Sequence, residues 1–142
     1  MNRTFLKLLA ITLIMFTLFS ACGSTPVSRL ETARQQDMPI YSLGEGRTTF
    51  RFEKIDLEGN GIAWDIHTNA STVGAALLNL GLISGEDDPF GLFITEVNGL
   101  HADFASSGTW WAFVIDGEMA MTGVGETDIV PGQTYAFVLT AD

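Results

Sequence analysis

The sequence predicts a small α+β domain, a mixed sheet of about five strands with one helix packed on one face. Three observations carry this reading. Five short runs beyond residue 47 are rich in aromatic and β-branched residues, two of them with the period-2 alternation of half-buried strands. A single stretch, 72–80, spaces its apolar residues as a helix does. Glycine, asparagine and proline pairs separate the runs where tight turns would fall.

The elements follow in chain order. Residues 1–21 read as a lipoprotein signal peptide. Arg3 and Lys7 charge its start, residues 8–19 are apolar apart from Thr12 and Thr17, and Phe19-Ser20-Ala21-Cys22 puts small residues before a cysteine. The apolar run is shorter than the roughly 20 residues a membrane span needs. This end resembles the lipobox of bacterial lipoproteins, in which the cysteine thiol carries a diacylglyceryl group. The resemblance implies that Cys22 is lipidated and that the chain sits on the extracytoplasmic face of a cell membrane. Cys22 is the only cysteine, so an intramolecular disulfide is excluded. Residues 22–46, poor in large apolar side chains, read as the lipidated cysteine and a flexible tether. Residues 47–142 are long enough for one compact domain.

Within that domain Phe50 and Phe52, with Ile55 as a further candidate, mark the buried side of a first strand, and Ile62, Trp64 and Ile66 alternate along a second. Glu58-Gly59-Asn60-Gly61 between them predicts a hairpin. Ser71 or Thr72 caps a helix whose positions 73, 76, 77 and 80 form the apolar stripe, and Gly81 stands where a helix ends. Residues 84–89, with Glu86, Asp87 and Asp88 in succession, read as a solvated loop. Three more strands are predicted over 92–97, 110–115 and 135–140, with turns at Asp116-Gly117 and Pro131-Gly132. Strand, strand, helix and three strands, with the helix on one sheet face, is the β-grasp arrangement.

Charge narrows the partners. The signal holds two of the seven basic residues and none of the seventeen acids, leaving five basic against seventeen acidic side chains, a net charge of −12. Such a surface repels nucleic acid and anionic headgroups.

An ordered set of segments then points to a family. Gly44-Glu45-Gly46 leads into the first strand, and Thr72-Val73-Gly74-Ala75-Ala76-Leu77-Leu78 opens the helix. Gly81-Leu82-Ile83-Ser84-Gly85-Glu86, Gly91-Leu92-Phe93, Val97-Asn98-Gly99, Trp110-Trp111-Ala112-Phe113, Gly117-Glu118 and Thr122-Gly123-Val124 follow. In this order they resemble the bacterial domain family named for its likeness to the C-terminal domain of transcobalamin, over nearly the whole mature domain. The resemblance implies export, surface tethering and a β-grasp fold. In transcobalamin itself this domain closes over one face of cobalamin beside a helical domain that this chain does not carry. A corrinoid or similar flat ligand is therefore the ligand the resemblance implies, with no cofactor required for folding or chemistry. The chain departs from the family in having Phe90, Phe93 and Val114 where tyrosine is frequent.

Candidate site residues follow from strand parity. In Trp110–Ile115, Trp111, Phe113 and Ile115 form the bulkier stripe and are assigned to the core under the helix, so Trp110, Ala112 and Val114 face away. Trp110 beside small residues reads either as a stacking platform for a flat ligand or as a side chain covered by the 98–108 loop. Phe93, Asn98 and His101 complete the candidate ligand-binding set. His67 and His101 are the only histidines, and no His or Cys spacing supports a zinc site. Asp56-Leu57-Glu58-Gly59-Asn60-Gly61 begins like a calcium loop, but His67 stands where the twelfth-position glutamate belongs, so a hairpin turn is the better reading. No nucleophile elbow, phosphate loop or dinucleotide fingerprint is present, and a non-catalytic role is expected. The expected function is a surface-tethered binding domain. Its partners are the membrane through the lipid anchor, and a small-molecule ligand or a protein that completes the site. The alternative is a structural or protein-interaction module of the cell surface with no small-molecule ligand.

Overall fold

The computed structural model of the chain describes residues 25–142. Residues 1–21, expected to be a signal peptide, and Cys22 lie outside the described residues. Helix α1 (Pro26–Gln35) is followed by strands β1 (Ile40–Gly44), β2 (Thr48–Ile55) and β3 (Gly61–Thr68), then helix α2 (Val73–Asn79). Next come β4 (Ile83–Asp88), β5 (Gly91–Val97), the two-residue β6 (Leu100–His101) and the short helix α3 (Phe104–Ser107). Strand β7 (Thr109–Ile115), the two-residue β8 (Glu118–Met119), a single 3-10 turn at Val124–Glu126 and β9 (Thr134–Ala141) complete the fold.

The α+β class and the mixed sheet are as the sequence predicts, but the strands form two sheets rather than one of five. Six strands lie in the order β1-β3-β2-β9-β7-β8, with β1–β3 and β2–β9 parallel and the other pairs antiparallel. A separate three-stranded sheet runs β4-β5-β6. The run of acids expected to be a loop is strand β4, because pairing uses the backbone, with Glu86 opposite Phe93 and Asp87 opposite Leu92. The carboxylates stay exposed on its surface.

The main core fills the space between one face of the large sheet and a cover made of α2 and the small sheet. Phe50, Phe52, Trp64, Ile66, Tyr135, Phe137 and Leu139 come from the sheet, Val73, Ala76 and Leu77 from α2, and Ile83, Ile94 and Val97 from the small sheet. The aromatics interlock. Phe52 stacks on Trp64 with ring centres 5.5 Å apart, and Phe50 meets Tyr135 edge-on at 5.3 Å. Thr72 caps α2, its hydroxyl accepting from the Ala75 N–H at 3.2 Å.

The opposite sheet face carries a second core, and here the tether reading needs correction. Helix α1 lies across this face, with Leu30 and Ala33 fully buried against Ile55, Val114, Ala136 and Val138. Thr25 caps α1 and Pro26 opens it, an arrangement that satisfies the first orphan N–H groups. After α1 the chain forms β1, an edge strand paired to β3. Two apolar side chains at the right spacing suffice to dock a helix whose remaining positions are polar, so average composition hides the docking. The fold thus has a helix on each face of the large sheet, not on one.

Candidate functional site

Strand β7 decides the geometry. Its alternation is as expected: Trp111 is buried in the main core, while Trp110, Ala112 and Val114 point to the opposite face. That face is not open, however. Val114 is fully buried in the cluster under α1 and Ala112 is equally enclosed, so neither is available to a ligand. Of the three, only Trp110, near the start of β7 and opposite Thr140 of β9, remains partly exposed.

Trp110 lies in a shallow cleft of about 340 Å³ lined also by Phe93, Phe104 and Asp142. Each aromatic comes from a different element. Strand β5 presents Phe93, 49 % exposed, on its outer side while Ile94 enters the core. Helix α3 carries Phe104, 57 % exposed, and the left-handed Gly108 then turns the chain into β7. The Asp142 N–H donates to the Gly108 carbonyl at 3.1 Å, fixing this end of β9 beside the cleft. The lining is apolar except for one carboxylate, which suits a flat, largely apolar molecule stacked against rings.

Asp103 positions Phe104. Its carboxylate caps α3, accepting from the Ser106 N–H at 3.2 Å. Hydrogen bonds from Ser106, first its hydroxyl and then its amide, hold the Asp103 pKa below the ordinary 3.8. A depressed carboxylate contributes its stabilisation above the ordinary carboxylate range and loses it as pH falls through the lowered pKa. The Ser106 amide is therefore expected to stay protected from hydrogen exchange through the ordinary carboxylate range, and to lose that protection only as pH falls below it. In Asp103→Asn the step should vanish, which an amide-exchange series read by NMR would check.

Of the other predicted positions, Asn98 sits in the two-residue turn Asn98-Gly99 between β5 and β6, with φ of 46° and 77°. This is the hairpin geometry that Asn-Gly favours. His101 is exposed on β6 opposite Glu96. Neither lines the cleft. The fold thus brings together Phe93 and Trp110, adds Phe104, and leaves Asn98 and His101 aside. Phe104 was legible only as a large aromatic in the polar stretch Asp103-Phe104-Ala105-Ser106-Ser107. It comes from the very loop that could have covered Trp110.

Two other depressions are more polar. One, of about 750 Å³, is lined by Arg47, Arg51, Asp65 and Thr134 among others, with the Arg51 Nε–H donating to Asp65 at 2.7 Å. Another, of about 500 Å³, lies between α2 and the tip of the β4–β5 hairpin, near Asp87, Asp88 and Glu126. Among the described residues no group of three or more His, Cys, Asp or Glu side chains is placed to hold a metal ion.

Residues 70–141 match the family described as Domain of unknown function (DUF4430), and the chain belongs to that family. No curated protein matches it significantly. Among solved structures, a candidate metal-binding protein from Ruminococcus gnavus is similar at 26 % identity and a TM-score of 0.64, covering 68 % of this chain and 99 % of its own. Haptocorrin in complex with Cbi is similar in fold, with a TM-score of 0.53 at 19 % identity. That likeness covers 66 % of this chain and 25 % of haptocorrin, so the chain spans only a quarter of that protein.

Proposed function

We propose that this DUF4430 member is a lipid-anchored, extracytoplasmic binding domain that holds a flat ligand of the corrinoid class on the cleft of Phe93, Phe104 and Trp110. The observation that carries the reading is that cleft: three separate elements bring three partly exposed aromatics around one opening. Exposed aromatics at a concave site are costly to a fold unless something occupies them. The shared fold with haptocorrin, crystallised with Cbi, supports the ligand class. The ordered segments that resemble the transcobalamin C-terminal family support it too. The lipobox around Cys22 supports the anchor and the location. On this reading the cleft supplies one half of a ligand's surroundings and a partner protein the other half, as the helical domain does in transcobalamin.

Calorimetric titration of a mature chain beginning at Gly23 with cobalamin and cobinamide tests the reading. Saturable heat is expected. Trp110→Ala should weaken binding at least tenfold, since removing a central aromatic contact costs about 2 kcal/mol. The absence of heat at high micromolar ligand would remove the corrinoid reading for the isolated domain.

A second reading rests on strand β1. It is the edge of the large sheet, and Ile40 and Tyr41 on it are each more than half exposed. A protein partner could add a strand there. Pairing of that kind would be lost on replacing Ser42 with proline and would be indifferent to Trp110→Ala.

A further inference from the structure

We infer that, while its cleft holds no ligand, the anchored domain rests on its own membrane with the aromatic end down, so that Phe93, Phe104, Trp110 and Leu57 meet the headgroup layer of an uncharged lipid surface. The inference rests on the reading of Cys22 as the lipid anchor. The rest comes from where α1 begins and what surrounds that point.

Helix α1 runs antiparallel to β9. Arg34 pairs with Glu53, which lies level with Ala136. Five residues earlier Arg29 reaches the far end of the same sheet, donating to the Leu139 carbonyl, to Thr140 Oγ1 at 3.3 Å and to the Leu57 carbonyl at 3.4 Å. At about 1.5 Å per residue, Pro26 lies roughly 4–5 Å beyond Arg29 in that direction. The chain therefore enters the fold where β9 ends and β2 turns into β3. Only Gly23 and Ser24 separate Cys22 from the capping Thr25, three Cα-to-Cα steps in all. Fully extended they span at most about 10 Å, hardly more than the thickness of one headgroup layer. A docked helix on so short a link cannot lift the domain clear of the bilayer.

The same end carries the exposed apolar side chains. Trp110 pairs with Thr140, the residue that Arg29 touches, and Asp142 closes the cleft that Trp110 shares with Phe93 and Phe104. Leu57, 40 % exposed, tips the neighbouring β2–β3 turn. Aromatic and leucine side chains of this kind lie well at the boundary between headgroups and acyl chains. Charge selects the lipid. Asp56, Glu58, Asp103 and Asp142 also lie at this end, so an anionic surface would repel it and a zwitterionic one would not.

The full chain, acylated in an exporting host and with its lipid confirmed by the mass of the amino-terminal peptide, can be placed in phosphatidylcholine vesicles bearing a spin label at the headgroup. Trp64 and Trp111 are buried, so quenching of tryptophan emission reads Trp110. Loss of up to about a third of the emission is expected, the share of one tryptophan in three. It should disappear in Trp110→Phe, fall when one lipid in five is anionic, and fall when twelve Gly/Ser residues are inserted before Thr25. Quenching that persists in Trp110→Phe, or an acylated chain that shows none, overturns the orientation while leaving the anchor intact. A chain without lipid at Cys22 overturns both. Failure of the released domain to bind cobinamide would remove the proposed ligand and leave this arrangement standing.

Discussion

A chain shortened to begin at Arg47 is expected to lose most of its stability, although it keeps every residue of the domain that the sequence delimits. The cut removes α1 and β1 together. Ile55, Val114, Ala136 and Val138 would lose Leu30 and Ala33, their cover on that face, and β3 would lose its partner on one edge. Glu53, buried beneath α1, would lose Arg34. Removal of Leu30 alone shows the scale, since a fully buried leucine cut to alanine costs about 2–5 kcal/mol. Domains of this size have about 5–15 kcal/mol in all. Urea unfolding followed by tryptophan emission would check both. The Leu30→Ala midpoint should fall by at least about 0.7 M, given a slope of about 1–3 kcal/mol per molar. The Arg47-start chain should be aggregated or largely unfolded without denaturant. An unchanged midpoint for the shortened chain would mean that α1 merely lies on the domain and contributes nothing to it.

That expectation turns on what the sequence could and could not disclose. The strands placed at 92–97, 110–115 and 135–140 lie within two residues of β5, β7 and β9, and the hairpin of β2 and β3 is where its glycines put it. Strands and turns of this kind are legible because alternation and glycine placement are local signals. Helix α1 is not, because Leu30 and Ala33 are the only residues of its ten that are buried. Its helicity comes from tertiary docking rather than from a strong amphipathic stripe. Strand β4 is hidden by its acids for a related reason: ladder pairing is a backbone property, and the side chains report only exposure. The candidate site divides in the same way. Parity correctly separated Trp110 from Trp111, but parity names a face without saying what lies upon it. Ala112 and Val114 thus read as an open surface, whereas both are buried, Val114 beneath α1. Phe93 and Trp110 meet because two sheets and a loop converge, and no spacing along the chain encodes that convergence.

Arg34→Ala is expected to destabilise the domain by about 3–5 kcal/mol. Both Nε and one terminal nitrogen of Arg34 lie 2.9 Å from the same oxygen of Glu53, whose side chain is only 5 % exposed beneath α1. Burying a carboxylate costs several kcal/mol, which the paired guanidinium offsets but does not exceed. Removing the cation leaves the cost without the offset. The second partner of Arg34 behaves differently. Glu31, one helical turn away at 2.9 Å, is more than half exposed, so Glu31→Ala should cost no more than about 1 kcal/mol. The decisive comparison is the double replacement of Arg34 and Glu53 by leucine. It removes both charges and extends the apolar seam of Leu30, Ala33 and Val138, so it should recover most of the loss and reach or exceed the parent midpoint. If the double variant instead remains as unstable as Arg34→Ala, the pair does more than neutralise a buried charge. It would then be fixing the register of α1 on the sheet, and with it the point at which the chain leaves the fold toward Cys22.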